Sequence, residues 1–383
     1  MYFPIKKNTY DRLNEKEKLK NFKNKTNMVL KLNENDKGKI LYKSLESAVK
    51  GRNVFIFGAG GGGDIVGAYY ISNKIKKLGG NPLVGSVVWE RFSIDPYPGP
   101  IPLEMMVNVD PIGFSSALVN SDSYALRYGM EVEPQITKFV KAVGEKAVFI
   151  DLTKGTEGVI RALNDISQSF DIDLVVGVDV GGDILALGCE DNLWSPLADS
   201  ISLSALYNAN IESLLIVNGP GGDGELETNT VLKYISDIAK ENGLIEILGM
   251  NIEEAEILDN LVKYVNTEAS LIPLISFKGE YGNKMIRNNT RNVNLSPILS
   301  TSYVLNVSVV YKRSELPKLV KDTGGIGQAN QALNDHCIYT ELDLENDLMK
   351  LRGESSNKPI DLIELRQQGI GNLIKRNCNP IKC

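Results

Sequence analysis

Histidine is almost missing from this chain of 383 residues, which has one, His336. One imidazole cannot build a His-rich zinc or iron centre. A Ser-His-Asp triad has only that residue to draw on. Any bound metal is therefore expected on oxygen ligands, which favours magnesium, calcium or manganese. Cysteine is scarce too: Cys189, Cys337, Cys378 and Cys383 form no Cys-x-x-Cys pair. Cys378 and Cys383 are near enough in sequence to bridge, but the expectation is reduced thiols in an intracellular protein. No apolar run approaches the ~18 residues of a membrane span. The opening MYFPIKKNTYDRLNEKEKLK lacks the apolar stretch of a signal peptide. These absences predict a soluble, cytoplasmic protein with no membrane partner. Excess positive charge is missing as well. The net charge is −6, so no nucleic-acid partner is expected.

What remains is ordinary globular composition, 43% hydrophobic and 23% charged, enough for a sizeable core. Residues 1–39 are polar and lysine-rich and read as an arm or a peripheral helix. Residues 40–50 place Ile40, Leu41, Leu45 and Val49 on one helical face. Strand and helix then alternate. Strands are expected at 53–57, 83–89, 147–152, 174–180 and 214–218. Helices are expected at 64–79, 156–170, 227–243 and 252–265. The strands are nearly continuous Val- and Ile-rich runs, as expected of strands covered on both faces in a parallel sheet. The fold class this predicts is α/β, a doubly wound, mostly parallel, Rossmann-like sheet. A single domain is expected over 40–353, with 354–383 as a C-terminal tail containing a short helix. Homo-oligomerisation stays open.

The chemistry concentrates at strand ends. Residues 54–70 read VFIFGAGGGGDIVGAYY, 179–183 read DVGGD and 219–225 read GPGGDGE. Gly-Gly-Asp thus follows three apolar strands. Ligands of open parallel sheets bind outside the carboxyl ends of the strands. Glycines let a ligand approach backbone N–H groups, and helix N-termini favour phosphate. The expectation is that the amides of Gly60, Gly61, Gly62, Gly63, Gly221 and Gly222 cradle phosphate. Asp64, Asp183 and Asp223 would hold Mg2+ or Mn2+ between themselves and that phosphate. The competing reading is plain connector chemistry, because Asp is also a good helix N-cap. A fourth strand end, IDLTKGTEG (150–158), offers Lys154 to neutralise phosphate and Thr156 as a phosphate contact or an N-cap. The loop WERFSIDPYPGP (89–100) carries Glu90, Arg91 and Asp95. It reads as a rigid substrate wall or as a turn with a local Arg–Asp pair. Asp223, Asp183, Lys154 and Arg91 are the expected catalytic residues. Late in the chain, Asn330, Asn334, His336, Thr340, Glu341 and Asp343 could reach sugar hydroxyls or could serve structure.

Gly58, Gly60 and Gly63 fit G-x-G-x-x-G, which resembles a dinucleotide-binding turn and implies NAD(P), with Glu90 as a distant acidic partner. Gly221, Gly222, Asp223 and Gly224 resemble the GGDG[TS] loop of the phosphofructokinase, NAD kinase and diacylglycerol kinase group. That resemblance implies nucleotide phosphate and magnesium, although Glu225 stands where Thr or Ser belongs. The series GAGGGGD, WERF-x-x-DP-x-PGP, D-x-GGD, GPGGDGE and TELDLE is similar over about 50–350 to an uncharacterised, mostly archaeal family known only as a domain of unknown function. It implies no reaction. The function these readings favour is a divalent-metal-assisted enzyme on a phosphorylated small molecule or nucleotide, by phosphoryl transfer or hydrolysis. An NAD(P)-linked oxidoreductase and a non-catalytic ligand-sensing or assembly protein are the alternatives.

Overall fold

Strands β1 (Asn53–Gly58) and β7 (Leu174–Val180) are buried along almost their whole length. Successive side chains point to opposite faces of a sheet, so such strands need cover on both sides. The computed structural model, which describes residues 42–354 and 360–382, provides that cover. Its core is one sheet with β2 (Asn81–Val87), β3 (Met106–Gly113), β4 (Ser116–Arg127), β5 (Met130–Val132), β6 (Ala147–Ile150), β8 (Ser213–Asn218), β9 (Leu244–Gly249) and β12 (Thr301–Asn306). The order is β3-β4-β6-β2-β1-β7-β8-β12-β9, with β5 on β4. The five central strands, β6 to β8, run parallel. Both flanks are antiparallel. Strands β10 (Gly282–Ile286) and β11 (Arg291–Leu295) form a separate hairpin. Thirteen α-helices complete the α/β architecture among the described residues.

The expected parallel strands and their helices form close to where their patterns place them. The helix after β1 spans Ile65–Lys77, and the helix after β6 spans Gly155–Phe170. The antiparallel flanks are additional elements, as is the helix Pro196–Asn208. That helix is buried on every side from Pro196 to Leu206. Phe55, Phe57 and Phe149 are fully buried in the core. Truncating one of them to Ala costs ~3–5 kcal/mol in such a setting.

The residues Lys43–Cys383 form one compact unit. The tail therefore belongs to the main body, and its helix Leu362–Lys375 packs on the helix Glu341–Glu354. The arm expected at 1–39 lies outside the described residues. The expectation of reduced thiols is overturned. Cys337 and Cys378 form a disulfide across 41 residues with Cα atoms 5.2 Å apart, and Cys189 is disulfide-bonded as well. Folding brings distant cysteines together, which proximity in sequence does not reveal. No helix among the described residues is long and apolar enough to cross a membrane.

Candidate functional site

The three Gly-Gly-Asp loops sit at the carboxyl ends of β1, β7 and β8, and β7 lies between the other two. Their aspartates line one cavity of about 1,070 Å³. None of the three caps a helix with its side chain. Asp64 stands at the N-cap position of Ile65–Lys77, yet its carboxylate turns back to accept from the Gly60 N–H at 2.9 Å. Asp183 Oδ2 lies 3.3 Å from Ser195 Oγ, whose proton points to Glu225. Asp223 accepts from the Glu225 N–H at 3.1 Å. Helix capping therefore does not account for them, although Asp64 and Asp223 each tie an N–H of their own loop.

Three further acids join the cluster. Asp179 lies within β7, Asp199 in the first turn of Pro196–Asn208, and Glu225 two residues past Asp223. Oxygens of Asp179, Asp183 and Asp199 lie within 4.8 Å of one another, and so do those of Asp183, Asp223 and Glu225. All five of these acids are buried. Asp179 accepts from the Gly182 N–H at 2.7 Å. Asp199 Oδ1 and Asp223 Oδ2 have no hydrogen-bond donor although their residues are 3% and 4% exposed.

Burial, reinforced by neighbouring carboxylates, drives the affinity of Asp179, Asp183 and Asp199 for protons well above the ordinary range. Burial raises Asp64 to about 7 and Asp223 to about 6. Glu225 behaves differently. Burial works to raise it, but Arg291 and donors from Ser195 and Trp194 outweigh burial and hold it below its usual value. Arg291 Nη2 lies 3.3 Å from Glu225 Oε1. The N–H groups of Trp194 and Ser195 reach Glu225 Oε2 at 2.7 and 2.8 Å, and Ser195 Oγ donates to Oε1.

The glycines make room for acids. A Cβ on Gly60 would sit 2.8 Å from Asp199 Oδ1, and one on Gly181 would sit 2.3 Å from Asp223 Cγ. Gly58 lies outside the cavity lining, tucked beneath the Asp64 backbone. Several amides expected to cradle phosphate already donate within the protein. Gly62 N–H reaches Trp89 O at 3.2 Å, Gly221 N–H reaches Gly181 O, and Gly222 N–H reaches Gly219 O at 2.8 Å. Gly60 to Gly63 line the cavity, whereas Gly221 and Gly222 do not.

Cations and aromatic rings form the remaining wall. Arg91 has a left-handed backbone (φ 56°). Its guanidinium stacks 4.0 Å over Trp89, donates to Gly60 O at 3.1 Å and pairs with Glu341 at 3.3 Å. The local Arg91–Asp95 pair does not form, because Asp95 is buried against Arg127 at 2.8 Å. Glu90 faces the cavity, and burial raises it to about 8. Glu341 accepts from the N–H groups of Leu197 and Ala198 at the start of Pro196–Asn208. The hairpin turn 287–290 adds Arg287 to the wall.

A family described as a protein of unknown function, DUF1152, matches residues 55–349. The chain belongs to DUF1152. No curated protein and no solved structure matches it. Every acid of the cluster falls within the DUF1152 span, as do the cavity-lining Glu341 and Glu345. The C-terminal helix that closes one side of the cavity lies beyond it.

Two expected site residues stand apart from this DUF1152 cavity. Lys154 is held by Glu104 at 2.7 Å and Asp151 at 3.1 Å. Thr156 is fully buried and receives no part of the cavity wall. The late polar group also divides. Asn330, Asn334 and Thr340 close on Asp343 at 2.7 to 2.9 Å and serve structure, while Glu341 reaches the cavity. Sequence reasoning missed Asp179, Asp199, Arg287 and Arg291. A visible signal existed for two of them, since Asp179 and Asp199 each interrupt an apolar segment, and buried charges are retained at a cost.

Proposed function

We propose that this protein is a divalent-metal-assisted enzyme acting on a phosphorylated small molecule or nucleotide, by phosphoryl transfer or hydrolysis. The observation that carries this reading is the juxtaposition, in one cavity, of buried acids lacking cationic partners and of arginines. The acids suit a Mg2+ or Mn2+ ion, and Arg91, Arg287 and Arg291 suit the phosphate oxygens. In hydrolysis the water oxygen bonds to phosphorus as the ester P–O bond breaks, and the proton given up by water ends on the leaving oxygen. A carboxylate of the cluster, with raised proton affinity, is suited to carry that proton between them. A bound cation would supply charge neutralisation at the phosphoryl oxygens.

Topology supports the finer fold reading. In their own sequence order the five parallel strands run 3-2-1-4-5, the doubly wound, Rossmann-like arrangement. The cavity lies where that order reverses, beside β1 and β7. The same topology would suit NAD(P), but Asp64 already occupies the Gly60 amide that a pyrophosphate would need. A non-catalytic sensor would use the same pocket without turnover.

The test is thermal denaturation with Mg2+, Mn2+ or Ca2+ crossed with ATP, sugar phosphates and NAD(P), followed by assay of any stabilising compound for phosphate release or transfer. A compound present at 100 times its Kd stabilises by about 2.7 kcal/mol. The expected result is a shift requiring metal and phosphate together, abolished in Asp223→Asn while the variant stays folded. A shift with NAD(P) alone would replace this reading with the oxidoreductase one. A stabilising compound that survives prolonged incubation would replace it with the sensor.

A further inference from the structure

We propose that the cluster is built for two divalent cations, bridged by Asp183. This rests on the metal-assisted reading above and specifies its site. The two carboxylate triads share one residue, Asp183. Ligand oxygens sit roughly 2.0–2.6 Å from Mg2+ or Ca2+, so two oxygens on one ion are separated by at most about twice that. The 4.8 Å limit within each triad falls inside the span of a Ca2+ site, about 4.6–5.2 Å, and a few tenths of an ångström outside the roughly 4.2 Å span of Mg2+, which side-chain adjustment on binding would close. Each triad also presents one buried oxygen without a donor, Asp199 Oδ1 in the first and Asp223 Oδ2 in the second.

Charge distinguishes two ions from one. Glu225 has Arg291 and Glu341 has Arg91 as ion-pair partners. No ion pair forms to Asp64, Asp179, Asp183, Asp199 or Asp223 among the described residues. Five neighbouring carboxylates cannot all stay ionised in a buried site without compensation. With all five ionised, one divalent cation leaves three negative charges and two leave one, a remainder that Arg91 and Arg287 near Asp64 and Arg291 near Asp223 offset. Glu225, held ionised by Arg291, offers a carboxylate oxygen at the second position within a pair that is neutral overall. Cations bridged by one carboxylate lie roughly 3.5–4 Å apart, the spacing that clamps both the attacking and the leaving oxygen of a phosphoryl group.

The experiment titrates chelator-stripped full-length protein with Mn2+, counting bound metal and recording electron paramagnetic resonance. Wild type is expected to bind two Mn2+ per chain with an exchange-coupled spectrum. Asp199→Asn is expected to fall to one ion with an uncoupled six-line signal. Asp183→Asn is expected to hold one at most. Saturation of wild type at one ion overturns the pair and leaves the single-cation reading standing. No binding overturns both, and the cluster is then a set of carboxyls sharing protons. Two coupled ions retained in Asp199→Asn would overturn the assignment of the first triad. If Asp183→Asn fails to fold, Asp199→Asn decides. It puts a neutral, isosteric amide where burial and neighbouring acids disfavour a charged carboxylate, so metal-free Asp199→Asn is expected to melt no lower than wild type.

Discussion

Gly60 carries no side chain because the space a methyl group would need holds two carboxylates. In Gly60→Ala the new Cβ would lie 2.8 Å from Asp199 Oδ1 and 2.9 Å from Asp64 Oδ2. Overpacking of this kind costs ~1–3 kcal/mol, and here one displaced atom, Asp199 Oδ1, belongs to a proposed ligand. Urea denaturation is expected to show that loss together with weakened Mn2+ binding. Unchanged stability and affinity would refute the packing account. Gly181→Ala is expected to be worse, since Gly181 adopts φ +129° and its Cβ would approach Asp223 Cγ to 2.3 Å. The acids also set a pH dependence. Asp223, Asp64 and Glu90 are raised to about 6, 7 and 8, chiefly by burial. The folded protein then keeps protons that the unfolded chain has released. Their contribution to stability is full below about pH 4 and is lost as pH rises from there through 8. The melting temperature of metal-free protein is expected to fall across that window, and Mg2+ to flatten the decline. A metal-free melting temperature that rises from pH 5 to 8 would contradict it. Among these residues, Asp64, Asp183 and Asp223 were legible because glycines announce them. Asp179 and Asp199 sit in regular elements, where periodicity reads burial but not which neighbours a carboxylate will meet.

The hairpin β10–β11 shows what an element adds. Its turn holds Arg287, Asn288 and Asn289 in left-handed conformation, φ 52°, 54° and 62°. Such backbone is sparsely populated by non-glycine residues and persists where surroundings enforce it. The turn faces the cavity, and Arg291 at its end pairs with buried Glu225 and stacks 4.7 Å over Trp194. Arg291→Met is expected to cost ~3–5 kcal/mol, because it strands a buried carboxylate. Adding Glu225→Gln should recover most of that. A double-mutant cycle in denaturant would measure the coupling, and a value near zero would show that the pair is not a unit. This hairpin has no strong sequence signature, since its strands are short and half exposed. The antiparallel strands β4 and β9 were hidden because of similar exposure. Strand β4 alternates buried and solvent-facing residues, and β9 is mostly part-exposed. By contrast β7 matches its expected bounds because a fully buried run of seven residues, apolar but for Asp179, belongs to a covered parallel strand.

At the scale of the molecule, the C-terminal segment is a wall of the cavity rather than an appendage. Asp361, Leu362 and Ile363 line it. Arg366 donates to Asp191 O at 2.9 Å and Leu193 O at 2.7 Å, and stacks on Trp194. The Cys337–Cys378 bridge ties the far end of this segment to the residues leading into Glu341. Closing a loop of 41 residues restricts the unfolded chain by about 4 kcal/mol in the chain-entropy account. Cys378→Ser is therefore expected to lower the melting temperature clearly and to loosen ligand retention. A variant that melts with wild type would show that the helix holds without its bridge. One consequence of the wall concerns light. The chain has two tryptophans, Trp89 and Trp194, and both border the cavity. Trp89 donates its indole N–H to Glu345 at 3.0 Å, and the ring of Trp194 has a guanidinium of Arg291 and another of Arg366 within about 5 Å. Emission excited at the red edge of the protein's ultraviolet band thus comes wholly from the pocket rim, and the proposed metal and phosphate compound are expected to shift it without a label.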